Sequence, residues 1–267
     1  MNTANNASES LLAFWAEAGV DSMLLDTPVD RIAAGQATSP RPAPVVSPSA
    51  APAKTGPDVT EQIAQARRFA AAAHNLDELK AAIEAFEGCP LKFEGAAHQS
   101  VFSRGASDAP LMVIGEGPGQ EEDLRGEPFV GRAGQLLDHM LGAAGLTGRV
   151  FITNSVFWRP PGNRNPTPQE QAVCAPFLER AIALVAPRIL LLVGGPSAKS
   201  MLKRDEGILA LRGRWFEWRS EDGALALPAM PTLHPAFLLR QPAAKKKAWS
   251  DLLTLTERLD RAPRADA

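Results

Sequence analysis

Leu111-Met-Val-Ile-Gly115-Glu-Gly-Pro-Gly119-Gln-Glu-Glu-Asp123, followed by Pro128-Phe-Val-Gly-Arg132, is the stretch on which the reading of this chain turns. Leu111–Ile114 has the length and composition of a buried strand. The glycines after it put bare backbone and a few polar groups at the edge of a sheet. In open α/β folds that edge is where ligands sit. The segment therefore marks the floor of a candidate site, and other parts of the chain should converge on it.

Three further apolar runs match it: Val150–Thr153, Ile189–Val193 and Ala229–Leu233. Helical patterns fall between them at 132–145, 168–186 and 196–203, and another follows at 244–260. Arg214–Arg219 and Ala224–Leu227, joined through Asp222-Gly223, read as a hairpin. Upstream, a helix is expected over Val59–Ala73. A second starts at Asn75, where Glu78 can complete a capping box; Leu76, Leu79, Ile83 and Phe86 form its apolar face. Short buried strands alternating with helices predict an α/β fold. It is a three-layer α/β/α sandwich with a central four-stranded, mainly parallel sheet.

Around that domain, placed at residues 58–262, the composition changes. Residues 1–34 carry a short amphipathic helix at 9–19, suited to docking on the main domain or on a protein partner. Residues 35–57 are rich in Pro, Ala and Ser and read as a disordered linker. Residues 263–267 form a tail. The chain has 267 residues, 45% of them hydrophobic, enough for one sizeable core, and a net charge of −2. No apolar run is long enough to span a bilayer, and no secretory leader is recognisable. Two distant cysteines, Cys89 and Cys174, suit free thiols in a reducing cytoplasm. Nothing in the sequence calls for an obligate oligomer, so a cytoplasmic monomer is expected. Four cations and no acid between Arg240 and Lys247 make a patch that could meet phosphates.

In a parallel sheet the carboxyl ends of all strands face one way. Glu116, Asn154, Ser197 and His234 each follow a strand and should line one crevice. The Asn amide offers one acceptor and two donors. It can accept from an imide N–H and donate to the neighbouring carbonyl, which is the pairing edge of uracil or thymine. Cytosine presents the opposite pattern. Phe129 can stack on a base, and His234 can donate to an oxygen that gains negative charge. Such a crevice suits an extruded nucleobase. Gly115-x-Gly117-x-Gly119 partly matches a dinucleotide loop, but its spacing is wrong and Glu121, Glu122 and Asp123 would repel a pyrophosphate. A Walker loop is absent.

The chain resembles family 4 of the uracil-DNA glycosylase superfamily. The resemblance rests on Gly115-Glu-Gly-Pro-Gly119, Glu122-Asp123, Gly126-x-Pro-Phe-Val-Gly131, Ala133-Gly-Gln-Leu-Leu137, Thr153-Asn154, Arg159-Pro-Pro-Gly-Asn-Arg164, Pro166-Thr-Pro168 and His234-Pro-Ala-Phe-Leu-Leu-Arg240. It covers residues 86–258. It implies hydrolysis of the bond between uracil and deoxyribose in single- or double-stranded DNA, the first step of base-excision repair. On this resemblance Phe129 is the stacking platform and Asn154 reads the base. His234 stabilises the leaving uracil anion. Glu116 and Gly117 lie beside the sugar, with Gly117 where better-known relatives carry an aspartate. Glu122 guards the base's C5 position, Asn163 supports the site, and segment 234–240 presses into the duplex. Apart from the resemblance, the charge of Arg240, Lys245, Lys246 and Lys247 makes them the residues expected to meet DNA phosphates.

The family's four-iron four-sulfur cluster is held by four cysteines. Here the four positions read Phe86, Cys89, Trp158 and Cys174. Two thiolates cannot complete the usual shell, so no metal or cofactor is expected. Phe86 and Trp158 could fill the vacated volume; a metal site of the two cysteines with His98 is the alternative. Two other functions stay open: a non-catalytic relative that binds uracil or damaged DNA, and a nucleotide-dependent oxidoreductase using the glycine loop.

Overall fold

The computed structural model of the chain describes residues 59–94 and 96–261. The amphipathic segment at 9–19, the linker at 35–57 and the tail at 263–267 lie outside the described residues.

Six strands form one sheet: β1 (Ser103–Gly105), β2 (Leu111–Gly115), β3 (Val150–Asn154), β4 (Ile189–Val193), β5 (Phe216–Arg219) and β6 (Ala226–Thr232). Their order is β1-β3-β2-β4-β6-β5. The four central strands run parallel, and β1 and β5 close the two edges antiparallel. The α/β class is as expected, but the sheet has six strands rather than four. β1 is three residues long and carries no apolar run, so periodicity could not reveal it. The second strand of the expected hairpin and the fourth central strand are one continuous element, β6. Pro228 and Pro231 hid that continuity, because proline is otherwise confined to edges, strand ends and bulges.

The helices are α1 (Val59–Ala72), α2 (Leu76–Ala85), α3 (Gln120–Arg125), α4 (Arg132–Ala143), α5 (Pro168–Val185), α6 (Gly195–Leu202), α7 (Ile208–Leu211), α8 (Pro235–Arg240) and α9 (Lys245–Asp260). Every residue of β2, β3 and β4 is buried. Alternate residues of β2 serve opposite faces. Met112 and Ile114 pack with α1, α2, α5 and α6, and Leu111 and Val113 pack with Leu137 and Leu141 of α4 and Leu252, Leu255 and Leu259 of α9. These are the three expected layers. Among the described residues no helix is long and apolar enough to cross a membrane.

Capping fixes several helix starts. Asn75 Oδ1 accepts from the Glu78 amide at 2.8 Å. Glu78 reaches back one residue further than a capping box requires and accepts from the His74 amide at 2.7 Å. At α5, Thr167 and Glu170 form a full capping box. Arg164 donates to both oxygens of the buried Glu170, at 2.6 and 2.9 Å, which ties the preceding proline-rich loop to the helix.

Candidate active site

The carboxyl ends of the four parallel strands converge as the topology requires. Gly115 pairs with Asn154 across β2 and β3, and Val193 with Thr232 across β4 and β6. Beyond these ends lies a crevice of about 720 Å³, lined by Glu116, Gly117, Glu122, Phe129, Asn154, Asn163, His234 and Arg240 among others. Ser197 is not among them. It is fully buried, and its Oγ donates to the Ile114 carbonyl at 2.8 Å, fastening α6 to β2. Topology places a residue at the sheet edge but does not say which way its side chain points. In the place of Ser197, Gly194, Gly195 and Pro196 form that wall.

Asn154 is buried, and its Oδ1 has no hydrogen-bond partner among the described residues. A buried acceptor left unsatisfied costs about 1–3 kcal/mol, so the amide is poised for a donor from outside the chain. Gly115 makes the arrangement possible. A Cβ there would collide with Asn154 Oδ1 and stand 2.5 Å from the tip of the Phe129 ring. The Phe129 and His234 rings lie 5.7 Å apart, tilted by 30°.

Phe129 adopts a left-handed backbone, φ 56°. For a residue with a side chain this costs about 1–3 kcal/mol and must be imposed by its surroundings. Glu122 Oε1 accepts from the amides of Val130 and Gly131, both at 3.0 Å, and its Oε2 accepts from the Gly119 amide at 3.2 Å. Arg104, from β1, donates to the carbonyls of Pro128 at 2.8 Å and Phe129 at 3.1 Å. Gly134 lets α4 pass beneath; a Cβ at that position would collide with the Phe129 carbonyl. Glu122 lines the crevice, and what its hydrogen bonds support is a brace for this turn.

His234 caps α8, and its Nδ1 accepts from the Ala236 amide at 3.2 Å. That bond assigns the ring proton to Nε2. Burial, and then the charge of Arg240, push the imidazole pKa down to about 4, against a smaller opposing pull from Glu122. The ring is therefore neutral near pH 7 and offers one N–H donor. Behind it, Thr232 donates to the buried Asp251 at 2.8 Å and accepts from the Gly194 amide at 2.9 Å, so β6 is pinned two residues before the histidine.

Glu116 sits at the crevice with its carboxyl pKa raised to about 7 by burial. Its backbone carbonyl accepts from Ser155 Oγ at 2.6 Å and from the Val156 amide at 3.3 Å, which fixes the loop and leaves the carboxyl free of those contacts. A Cβ at Gly117 would stand 2.8 Å from a methyl of Val156. Any larger residue there requires Val156 to shift.

On the rim, Asn163 is exposed with φ 54°, and its Oδ1 accepts from Arg159 Nε at 2.7 Å. Arg240 is exposed at the end of α8. Lys245, Lys246 and Lys247 are exposed in the first turn of α9 and lie outside the crevice lining. Cations in a first turn oppose the helix dipole, so their place there does not serve helix stability.

The corner where the family cluster would sit is closed. Phe86, Cys89 and Cys174 are fully buried and Trp158 nearly so. The two sulfurs are 3.9 Å apart. Burial, and then the neighbouring Cys89, push the Cys174 thiol upward. The Phe86 ring lies edge-on to Phe177 at 5.1 Å and to Phe69 at 5.7 Å, and Phe157 packs edge-on to both Trp158 and Phe177. Gly88 leaves room for the Phe86 ring; a Cβ there would stand 2.5 Å from its tip. His98 is engaged elsewhere. Its Nδ1 lies 2.5 Å from a carboxylate oxygen of Asp123, whose other oxygen accepts from the His98 amide. Among the described residues no group of three or more His, Cys, Asp or Glu side chains could hold a metal ion. Two thiols set among rings packed edge to face do not fit a cluster that needs four.

Sequence reasoning missed Gly115 and Gly134 as sites of close approach, Arg104 and Asp251 as anchors, and the bracing role of Glu122. Gly115, Gly134 and Glu122 had a visible signal, since all three lie inside the family motifs; Arg104 and Asp251 had none.

A glycine-turned sheet edge, an unpartnered amide and a neutral imidazole over an aromatic ring define an α/β protein built to receive a planar heterocycle. The chain belongs to the uracil DNA glycosylase superfamily, whose sequence pattern matches residues 102–253. It is 37% identical over 196 residues to a type-4 uracil-DNA glycosylase of Saccharolobus solfataricus, covering 71% of this chain and 88% of that protein. A type-4 uracil-DNA glycosylase of Thermotoga maritima is 38% identical over 154 residues, covering 57% of this chain and 77% of its own. One of Pyrobaculum aerophilum is 36% identical over 184 residues, covering 67% and 91%. The family 4 resemblance seen in the motifs is borne out.

Proposed function

We propose that this chain is a uracil-DNA glycosylase that hydrolyses the bond between uracil and deoxyribose and leaves an abasic site. The observation that carries this reading is the buried, unpartnered Oδ1 of Asn154, set beside the Phe129 ring and the neutral His234. Uracil extruded from the helix stacks on Phe129 and gives its imide N–H to Asn154 Oδ1, while the amide NH2 donates to the adjacent carbonyl. Cytosine, with an acceptor at the ring nitrogen and a donor beside it, leaves both groups unpaired, and a mismatch of that kind is strongly rejected.

As the glycosidic bond breaks, its electron pair moves onto uracil and the sugar gains oxocarbenium character. His234 Nε2–H is fixed where negative charge grows on O2. Such a donor stabilises the transition state more than the ground state, by about 2.7–4 kcal/mol in other enzymes. A water adds its hydroxide to the anomeric carbon, and its proton passes to the Glu116 carboxylate. With its pKa near 7, Glu116 is partly ionised at neutral pH, which suits a general base. The uracil anion takes a proton from solvent after leaving. Gly117 supplies no side chain to this step; it keeps the loop close to Val156.

The reaction as proposed uses no cluster. Phe86 and Trp158 take over by packing what a cluster would do by ligation, and Cys89 and Cys174 are reduced thiols, as suits a cytoplasmic protein. Arg240 and Lys245–Lys247 carry the DNA backbone, and segment 234–240 enters the duplex. A single-stranded oligonucleotide with one uracil, treated with the protein and then alkali, tests the proposal. Cleavage at the uracil is expected. Retention of the oligonucleotide by the protein without cleavage would mean a binding protein instead.

A further inference from the structure

Phe129 holds the base only if its ring stays where it is, and its left-handed backbone does not hold itself. Two charged side chains grip the turn from opposite sides. The Glu122 carboxylate takes the amides of Val130 and Gly131. The Arg104 guanidinium takes the carbonyls of Pro128 and Phe129 and also donates to Asp138 of α4 at 2.7 Å. Together they engage the three consecutive peptide groups around the ring, the middle one at both its carbonyl and its amide.

We infer that Arg104 is a positioning residue for base recognition, acting through Phe129 as the second jaw of a clamp whose first jaw is Glu122. Arg104 does not line the crevice. It sits on the edge strand β1, its side chain about one-quarter exposed. Its planar fork matches two adjacent carbonyls and a carboxylate together, which a lysine ammonium cannot do. The edge strand that periodicity could not reveal thus serves the site: it brings this guanidinium to the turn. The inference rests on reading the crevice as the uracil site.

Arg104→Met keeps the stem and removes the donors. Expected are a weaker inhibition by free uracil and a kcat/KM lower by roughly 10-fold or more, since an ångström of misplacement can cost about 100-fold. Arg104→Lys should recover part of this. Because Arg104 acts through the ring, adding Arg104→Met to Phe129→Ala should cost nothing further, and only coupled sites show such non-additivity. Amide hydrogen exchange at Val130 and Gly131 should rise in Arg104→Met while the strands β2 and β4 stay protected. Unchanged uracil inhibition and unchanged exchange in Arg104→Met would overturn the inference. So would losses that multiply in the double variant, which would put Arg104 on the DNA. Wild-type protein that releases no uracil would instead sink the reading of the crevice, and the exchange measurement would then decide the clamp by itself.

Discussion

The crevice at the sheet edge and the corner around Phe86 and Trp158 lie on the same domain, yet they are built on opposite rules. At the crevice an amide oxygen is buried without a partner among the described residues, Phe129 is held in a left-handed turn, His234 is kept neutral and Glu116 is hard to ionise. At the corner, rings meet edge to face and two thiols lie buried among them. The first region is left incomplete by its own chain and is completed by a ligand. The second is already complete. A site that stores unsatisfied groups and strain points to chemistry; a closed aromatic corner points to stability.

That contrast can be broken most forcefully at the crevice. His234→Ala should lower kcat by about 100- to 1,000-fold, the usual loss for a donor aimed at developing charge. Thermal stability should fall only by about 0.5–2 kcal/mol, the usual cost of losing a helix cap. Glu116→Gln should lower the rate by about 100-fold or more. The pH profile gives the sign. In the proposed mechanism the base is the Glu116 carboxylate, whose pKa burial raises to about 7, so the rate should rise with pH through about 7 and that rise should vanish in Glu116→Gln. A wild-type rate flat between pH 6 and 8 would remove Glu116 from the mechanism. Asn154→Asp should slow uracil release and weaken selectivity against cytosine, read by paired uracil and cytosine oligonucleotides.

At the corner the expected effects fall on stability. Phe86→Ala should destabilise the fold by about 3–5 kcal/mol, visible as a lower denaturation midpoint, with kcat retained in the folded fraction. If kcat fell as steeply as it does in His234→Ala, the two regions would not be separate. The smallest effect belongs to the basic turn. Each of Lys245→Ala, Lys246→Ala and Lys247→Ala should reduce the salt dependence of DNA binding by about one counterion if that lysine meets a phosphate, without altering the rate at saturating DNA.

Much of this was legible in the chain. Leu111–Ile114 and its three counterparts marked the parallel strands because buried strands read as apolar runs. Asn154 and His234 stood out because each ends one of them. Phe86 and Trp158 were visible as departures at cysteine positions. What stayed hidden depended on direction and on long-range contact. Ser197 follows a strand like the others, yet it faces inward to Ile114. Arg104 meets the Phe129 turn through a three-residue edge strand with no hydrophobic signature. The backbone of Phe129 is imposed from outside by Glu122, Arg104 and Gly134, and local propensity for an aromatic residue points the other way.

That a uracil site works beside a corner packed with rings is open to direct measurement. The most direct test is alkali-revealed cleavage of a single-stranded uracil oligonucleotide by purified protein whose iron and sulfide have been assayed. Stoichiometric abasic sites are expected from protein without iron, sulfide or broad visible absorbance. Absence of cleavage, or cleavage only in preparations carrying stoichiometric iron and sulfide, would contradict it.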